Sequence, residues 1–178
     1  MNNTTLTLTT FFLLLFWTCE PAYCFKRSSR YATINYSSKE LLRDFNDELY
    51  LPRTLMRAVH RRNAVLLEDE VLAKVDTIIE KAEMILDMFP DHLHIQIVLL
   101  ETQSEVAKVY KARYGRKASH IAYYSLSEKT IYISVDNTTL KVLAHEIGHA
   151  IIDHYFKVRP PYNVHELMAQ FTEKHITD

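Results

Sequence analysis

The stretch Leu140-Lys141-Val142-Leu143-Ala144-His145-Glu146-Ile147-Gly148-His149-Ala150-Ile151-Ile152-Asp153-His154 decides how the rest of the chain is read. Leu140, Leu143, Ala144, Ile147, Ala150 and Ile151 recur at helical spacing and predict one apolar face. His145 and His149 fall on the other side, beside Lys141 and Asp153, and not inside the apolar arc. Residues four apart stand one above the other on a helix, so both imidazoles can reach one ion at about 2.0–2.1 Å. Glu146 projects about 100° around the axis from His145. It can stand beside a water at such an ion without ligating it, as a general base requires. The competing reading is an ordinary helix with two solvent-facing histidines.

Downstream, Pro160-Pro161 separates this helix from a second one over Asn163–His175. Val164, Leu167, Met168 and Phe171 read as its buried stripe, with Glu166, Gln170 and Glu173 off it. A catalytic zinc commonly takes three protein ligands and leaves a position for water. Glu166 is the leading candidate for the third ligand, because the loop is long enough to turn it back toward the histidines. Two alternatives stay open. Asn163-Val164-His165-Glu166 also has the form of a capping box, in which Glu166 would serve only its own helix; His165 could ligate instead. The metzincin pattern is excluded, since Ile152 and Tyr155 stand where it needs Gly and His.

Upstream, His120–Ser125 and Lys129–Val135 flank Leu126-Ser127-Glu128 and predict a hairpin. His94–Leu100 is a compact apolar run read as a buried strand, followed by a helix over Ser104–Tyr114 with Gly115 as its C-cap. Val71 to Phe89 keeps a 3.6-residue period until Pro90. Ser37-Ser38-Lys39-Glu40 opens a helix carrying Leu41, Leu42, Phe45 and Leu49, which Pro52 interrupts. Arg53, Arg57 and Arg61 then recur every four residues, as on a solvated helix face. The order of helices, strand, helix, hairpin and two helices predicts an α+β domain.

Composition sets outer limits. The chain has 178 residues, 48% hydrophobic and 11% aromatic, which suits one domain with a substantial core. Lys and Arg number 21 against 22 Asp and Glu, so no nucleic-acid partner is expected. Only 2 Gly occur, which disfavours a Gly-rich phosphate loop. Phe11–Trp17 is too short to span a bilayer and suits the core of a signal peptide, with cleavage expected after Cys24. The expected domains are therefore 1–24 as leader and 25–178 as one folded unit, exported to a periplasm or the extracellular space. Both cysteines, Cys19 and Cys24, would leave with the leader. No stable membrane insertion is then expected.

The hairpin, the segment Ile131-Tyr132-Ile133-Ser134, the HExxH motif and a Glu on the next helix together resemble the gluzincin metallopeptidases. The short chain is similar to the single-domain minigluzincins. The resemblance runs from about His94 to the C-terminus. It implies a zincin-like fold with a small, mostly antiparallel sheet, preceded by an N-terminal helical part (25–90) and forming a catalytic core over 91–178. It implies Zn2+ held by His145, His149 and Glu166, with Glu146 as the base that activates water against a peptide or protein substrate. It also implies an extended substrate added to the strand Thr130–Val135. Where larger gluzincins place an Asp one turn after the Glu ligand to orient a histidine, this chain has Gln170, a neutral partner that polarises a ligand less. That departure motivates a second expectation, a zinc-binding interaction module that cleaves little or nothing. A third is a latent enzyme whose helices around Ser37–Arg62 cover the cleft. Tyr155, Tyr162, His154 and His165 are candidates for oxyanion stabilisation. Asp153, one turn after His149, reads as a surface acid or as a support behind the histidines, and His60, His92, His94, His120 and His175 as ordinary histidines.

Overall fold

The computed structural model describes residues 25–178; the expected leader and both cysteines lie outside the described residues. Two strands come first, β1 (Phe25–Ser28) and β2 (Ala32–Tyr36), followed by helices α1 (Lys39–Glu48), α2 (Arg53–His60) and α3 (Leu67–Leu86). Strand β3 (Ile95–Leu100) and helix α4 (Gln103–Tyr114) lead into the hairpin β4 (Ala122–Ser125) and β5 (Thr130–Ser134). Helices α5 (Leu140–Tyr155) and α6 (Tyr162–His175) complete an α+β architecture.

The five strands lie in the order β1-β2-β3-β5-β4. The outer pairs β1–β2 and β4–β5 are antiparallel, whereas β2–β3 and β3–β5 are parallel. The sheet is thus mixed and not mostly antiparallel. The helical crossover α1–α3 carries the chain back before β3 begins, which is what a parallel neighbour requires. The 25–90 region is likewise not purely helical. The buried apolar residues Ala32, Ile34 and Tyr36 alternate with polar Thr33 and Asn35, the period-2 mark of a strand.

Alternation along β3 divides the interior. Ile95, Ile97 and Leu99 join the main core with α1, α3 and α5. Val98 and Leu100 face a second cluster with Val106, Tyr123 and Tyr132 beneath α4. The local stops follow elementary chemistry. The Ser38 hydroxyl accepts from Leu41 N–H at 3.1 Å to cap α1, so Ser38 and not Ser37 opens that helix. Asp87, in the left-handed region at φ 51°, ends α3 before Phe89 and Pro90 are reached. Gly115, at φ 67°, closes α4 as expected.

The last two helices pack against each other. Gly148 of α5 faces α6, where an added Cβ would lie 3.1 Å from Thr172 Oγ1 and 3.2 Å from the Ala169 backbone. Close approach therefore selects His165, Ala169 and Thr172 as the inward residues of α6. The stripe expected to be buried is turned outward instead: Val164, Leu167 and Phe171 are exposed, and Met168 is half-buried. Apolar periodicity misplaces this helix because its seat on α5 admits only small or flat side chains.

Candidate metal centre

Three side chains converge where α5 meets α6. His145 Nε2 and His149 Nε2 lie 3.1 Å apart. Each is 3.5 Å from an oxygen of Glu166, Oε1 for His145 and Oε2 for His149. Bonds of about 2.0–2.1 Å to a tetrahedral ion place neighbouring ligand atoms about 3.3 Å apart. The observed separations bracket that value, and the donor set of two imidazoles and one carboxylate suits zinc or another borderline divalent ion.

Glu166 does not cap its helix. Helix α6 begins at Tyr162 behind Pro161, whose carbonyl accepts from both Val164 and His165 N–H. Glu166 is therefore already inside the helix and beyond reach of the orphan amides at its start. His165 does not join the ligand set either. It is buried, stacks on His149 at 4.8 Å with ring planes 14° apart, and meets the far nitrogen, Nδ1 to Nδ1 at 2.8 Å.

The outer partners fix the tautomers. Glu173 Oε2 lies 3.1 Å from His145 Nδ1. A carboxylate only accepts, so Nδ1 of His145 carries the proton and Nε2 keeps its lone pair for an ion. His149 Nδ1 meets His165 Nδ1 at 2.8 Å, and the tautomer in which His149 is the donor leaves its Nε2 lone pair free in the same way. Gln170 plays no such part: its Nε2 donates to Glu166 Oε1 at 3.1 Å. Glu173, seven residues and so almost two full turns beyond Glu166, takes the orienting position instead. The spacing held that signal, since seven residues return to within about 20° of the same face while four overshoot by about 40°.

Burial shapes the electrostatics. Desolvation first, then the nearby His145 and His165, pushes His149 down to about 3, which keeps it neutral as a ligand must be. Glu146 is 8% exposed. Burial raises its pKa to about 8; a hydrogen bond from the backbone of Tyr124 opposes the rise, and Glu166 and Glu173 add to it. The Tyr124 hydroxyl donates to Asp153 Oδ2 at 3.0 Å, tying β4 to α5 beside Glu146. Asp153 is thus a strut between strand and helix and not a free surface acid.

These groups open into a cleft of about 290 Å³ lined by His120, Tyr123, Tyr124, Arg159, Tyr162 and the cluster itself. His120 was not distinguished by any ligand spacing, and its place on the cleft wall follows from the chain's entry into β4. Of the oxyanion candidates, Tyr162 and His165 line the cleft. His154 is bonded to the Ala150 carbonyl at 2.7 Å, and Tyr155 is not part of the lining. None of residues 37–62 lines the cleft among the described residues, so the cover expected from the N-terminal helices is not seen. Strand β5 is paired on both sides and cannot accept a further strand; the open edge next to Glu146 is β4.

In comparison with protein families, curated proteins and solved structures, the chain finds no match.

Proposed function

We propose that this protein is an exported, zinc-dependent peptidase of gluzincin type with a zincin-like arrangement of its last strands and helices. The observation that carries the reading is the convergence of His145, His149 and Glu166 at tetrahedral spacing, with the buried Glu146 carboxyl alongside. Zinc held by those three residues supplies Lewis acidity, polarising a peptide carbonyl and acidifying a water.

The chain's own groups do the remaining work. A cation held beside Glu146 would favour the ionised form that burial alone disfavours. The carboxylate then takes a proton from the attacking water and delivers it to the departing amine nitrogen, being regenerated as the C–N bond breaks. The Tyr124 backbone holds that carboxylate in place. The free edge of β4 offers main-chain hydrogen bonds to an extended peptide, a geometry that suits unfolded or flexible substrates. Tyr162 and His165 are the cleft-lining candidates for hydrogen bonding to the developing oxyanion. Glu173 compensates for the neutral Gln170 by giving His145 a charged partner, which weakens the case for a module that binds zinc without cleaving.

The test compares zinc-loaded protein with its Glu146→Gln variant on a quenched peptide library. The variant is expected to keep its zinc and lose activity by about 100-fold or more. A chelator should abolish the wild-type activity, and added zinc should restore it. Equal cleavage by both proteins would contradict the mechanism.

A further inference from the structure

Fourteen large apolar side chains are exposed among the described residues, and seven of them fall between positions 155 and 171. Val158 is 83% exposed, Tyr162 75%, Leu167 66% and Phe171 48%. They occupy the α5–α6 connection and the outer face of α6, opposite the face seated on α5. Lys157, Arg159 and Lys174 are exposed in the same region. From 154 to 174 the carboxylates are Glu166, which is turned into the metal site, and Glu173, which is engaged by His145 Nδ1.

Apolar and aromatic side chains projecting from a local surface whose free charges are all positive match the chemistry of an acidic lipid headgroup layer over acyl chains. A nucleic acid would find no use for Val158 and Leu167. No described helix is long and apolar enough to cross a bilayer, so the contact is made at the surface. We infer that the α5–α6 connection and the outer face of α6 form a docking surface for anionic membranes. Arg159 and Tyr162 belong both to this surface and to the cleft wall. A docked molecule therefore holds its cleft at the lipid boundary. The inference stands apart from the peptidase reading, because it concerns binding alone.

The test is flotation of the full chain with phosphatidylcholine vesicles, with and without phosphatidylserine, at low and high salt. Every variant carries the same N-terminal segment, and the 25–178 form, which holds the whole described core, is run in parallel. The 25–178 form is expected to float with anionic vesicles, less so at high salt, and little with neutral ones. Lys157→Glu with Lys174→Glu should weaken partitioning about tenfold or more. Leu167→Ser with Phe171→Ser should weaken it comparably, with zinc content and circular dichroism unchanged. Two results would overturn the inference. One is no flotation of the 25–178 form with anionic vesicles, or flotation that neither variant pair reduces. The other is a stable dimer of the wild type that Leu167→Ser with Phe171→Ser dissociates, which would assign the face to a second copy.

Discussion

Glu173, 3.1 Å from His145 Nδ1, separates an orienting role from mere proximity. Replacing it with Gln keeps an acceptor but removes the charge, and zinc affinity is expected to fall about 10- to 100-fold. Gln170→Ala should leave affinity almost unchanged, since Gln170 bonds the Glu166 carboxylate from an exposed position. Competition with a chromogenic chelator reads both; equal losses in the two variants would count against the assignment. At this scale much could be read in advance. The i, i+4 histidines are local geometry, carried by helix spacing alone, and Glu166 stands out as the acid behind a loop long enough to turn back toward them. The roles of Glu173 and His165 depend on the rotation of α6 against α5, which helix periodicity does not specify.

That rotation belongs to the helix pair. Gly148 lets α6 come close enough for Glu166 to reach the histidines, and Ala169 and Thr172 keep the contact thin. Gly148→Ala must push against backbone at Ala169, so an overpacking cost of about 1–3 kcal/mol is expected despite alanine's better helix propensity. Denaturant unfolding measures the stability loss, and zinc affinity should fall with it. A variant as stable and as tightly zinc-binding as the parent would show that the close approach is not needed. The hairpin β4–β5 was legible from its two apolar runs and short polar turn. Which of its strands forms the edge was not, because β3 reaches β5 only through long-range pairing. Helix α6 misled for the opposite reason: its strongest apolar stripe faces outward.

Across the whole molecule, away from the candidate metal site, buried Asp76, Glu83 and Lys74 contribute to the pH response. Asp76 and Glu83 on α3 have raised pKa values, burial being the first cause for each. Such carboxyls favour the folded state most when protonated. Their contribution is therefore full below the ordinary carboxylate range and is lost as pH rises through their elevated folded values. Lys74, buried against the Asn46 and Leu49 carbonyls, is lowered by burial and acts in the alkaline range. There its sign is opposite, stability rising with pH from its depressed folded value towards its ordinary 10.5. Asp76→Asn keeps an acceptor for the Ser29 hydroxyl, which lies at 2.5 Å, and should flatten the acid-to-neutral fall in melting temperature. An unchanged slope would exclude Asp76 as a source. The α+β class was readable from the order of elements. Strands β1 and β2 were passed over although Ala32, Ile34 and Tyr36 alternate, because so short a run gains its meaning from pairing with β3 some sixty residues later.

His145, His149 and Glu166 are proposed to hold one zinc ion. The most direct test is zinc titration of the metal-free protein beside its Glu166→Ala variant. One tightly bound zinc per chain is expected in the parent, with binding lost or greatly weakened in the variant. Equal binding by both, or none by the parent after reconstitution, would contradict it.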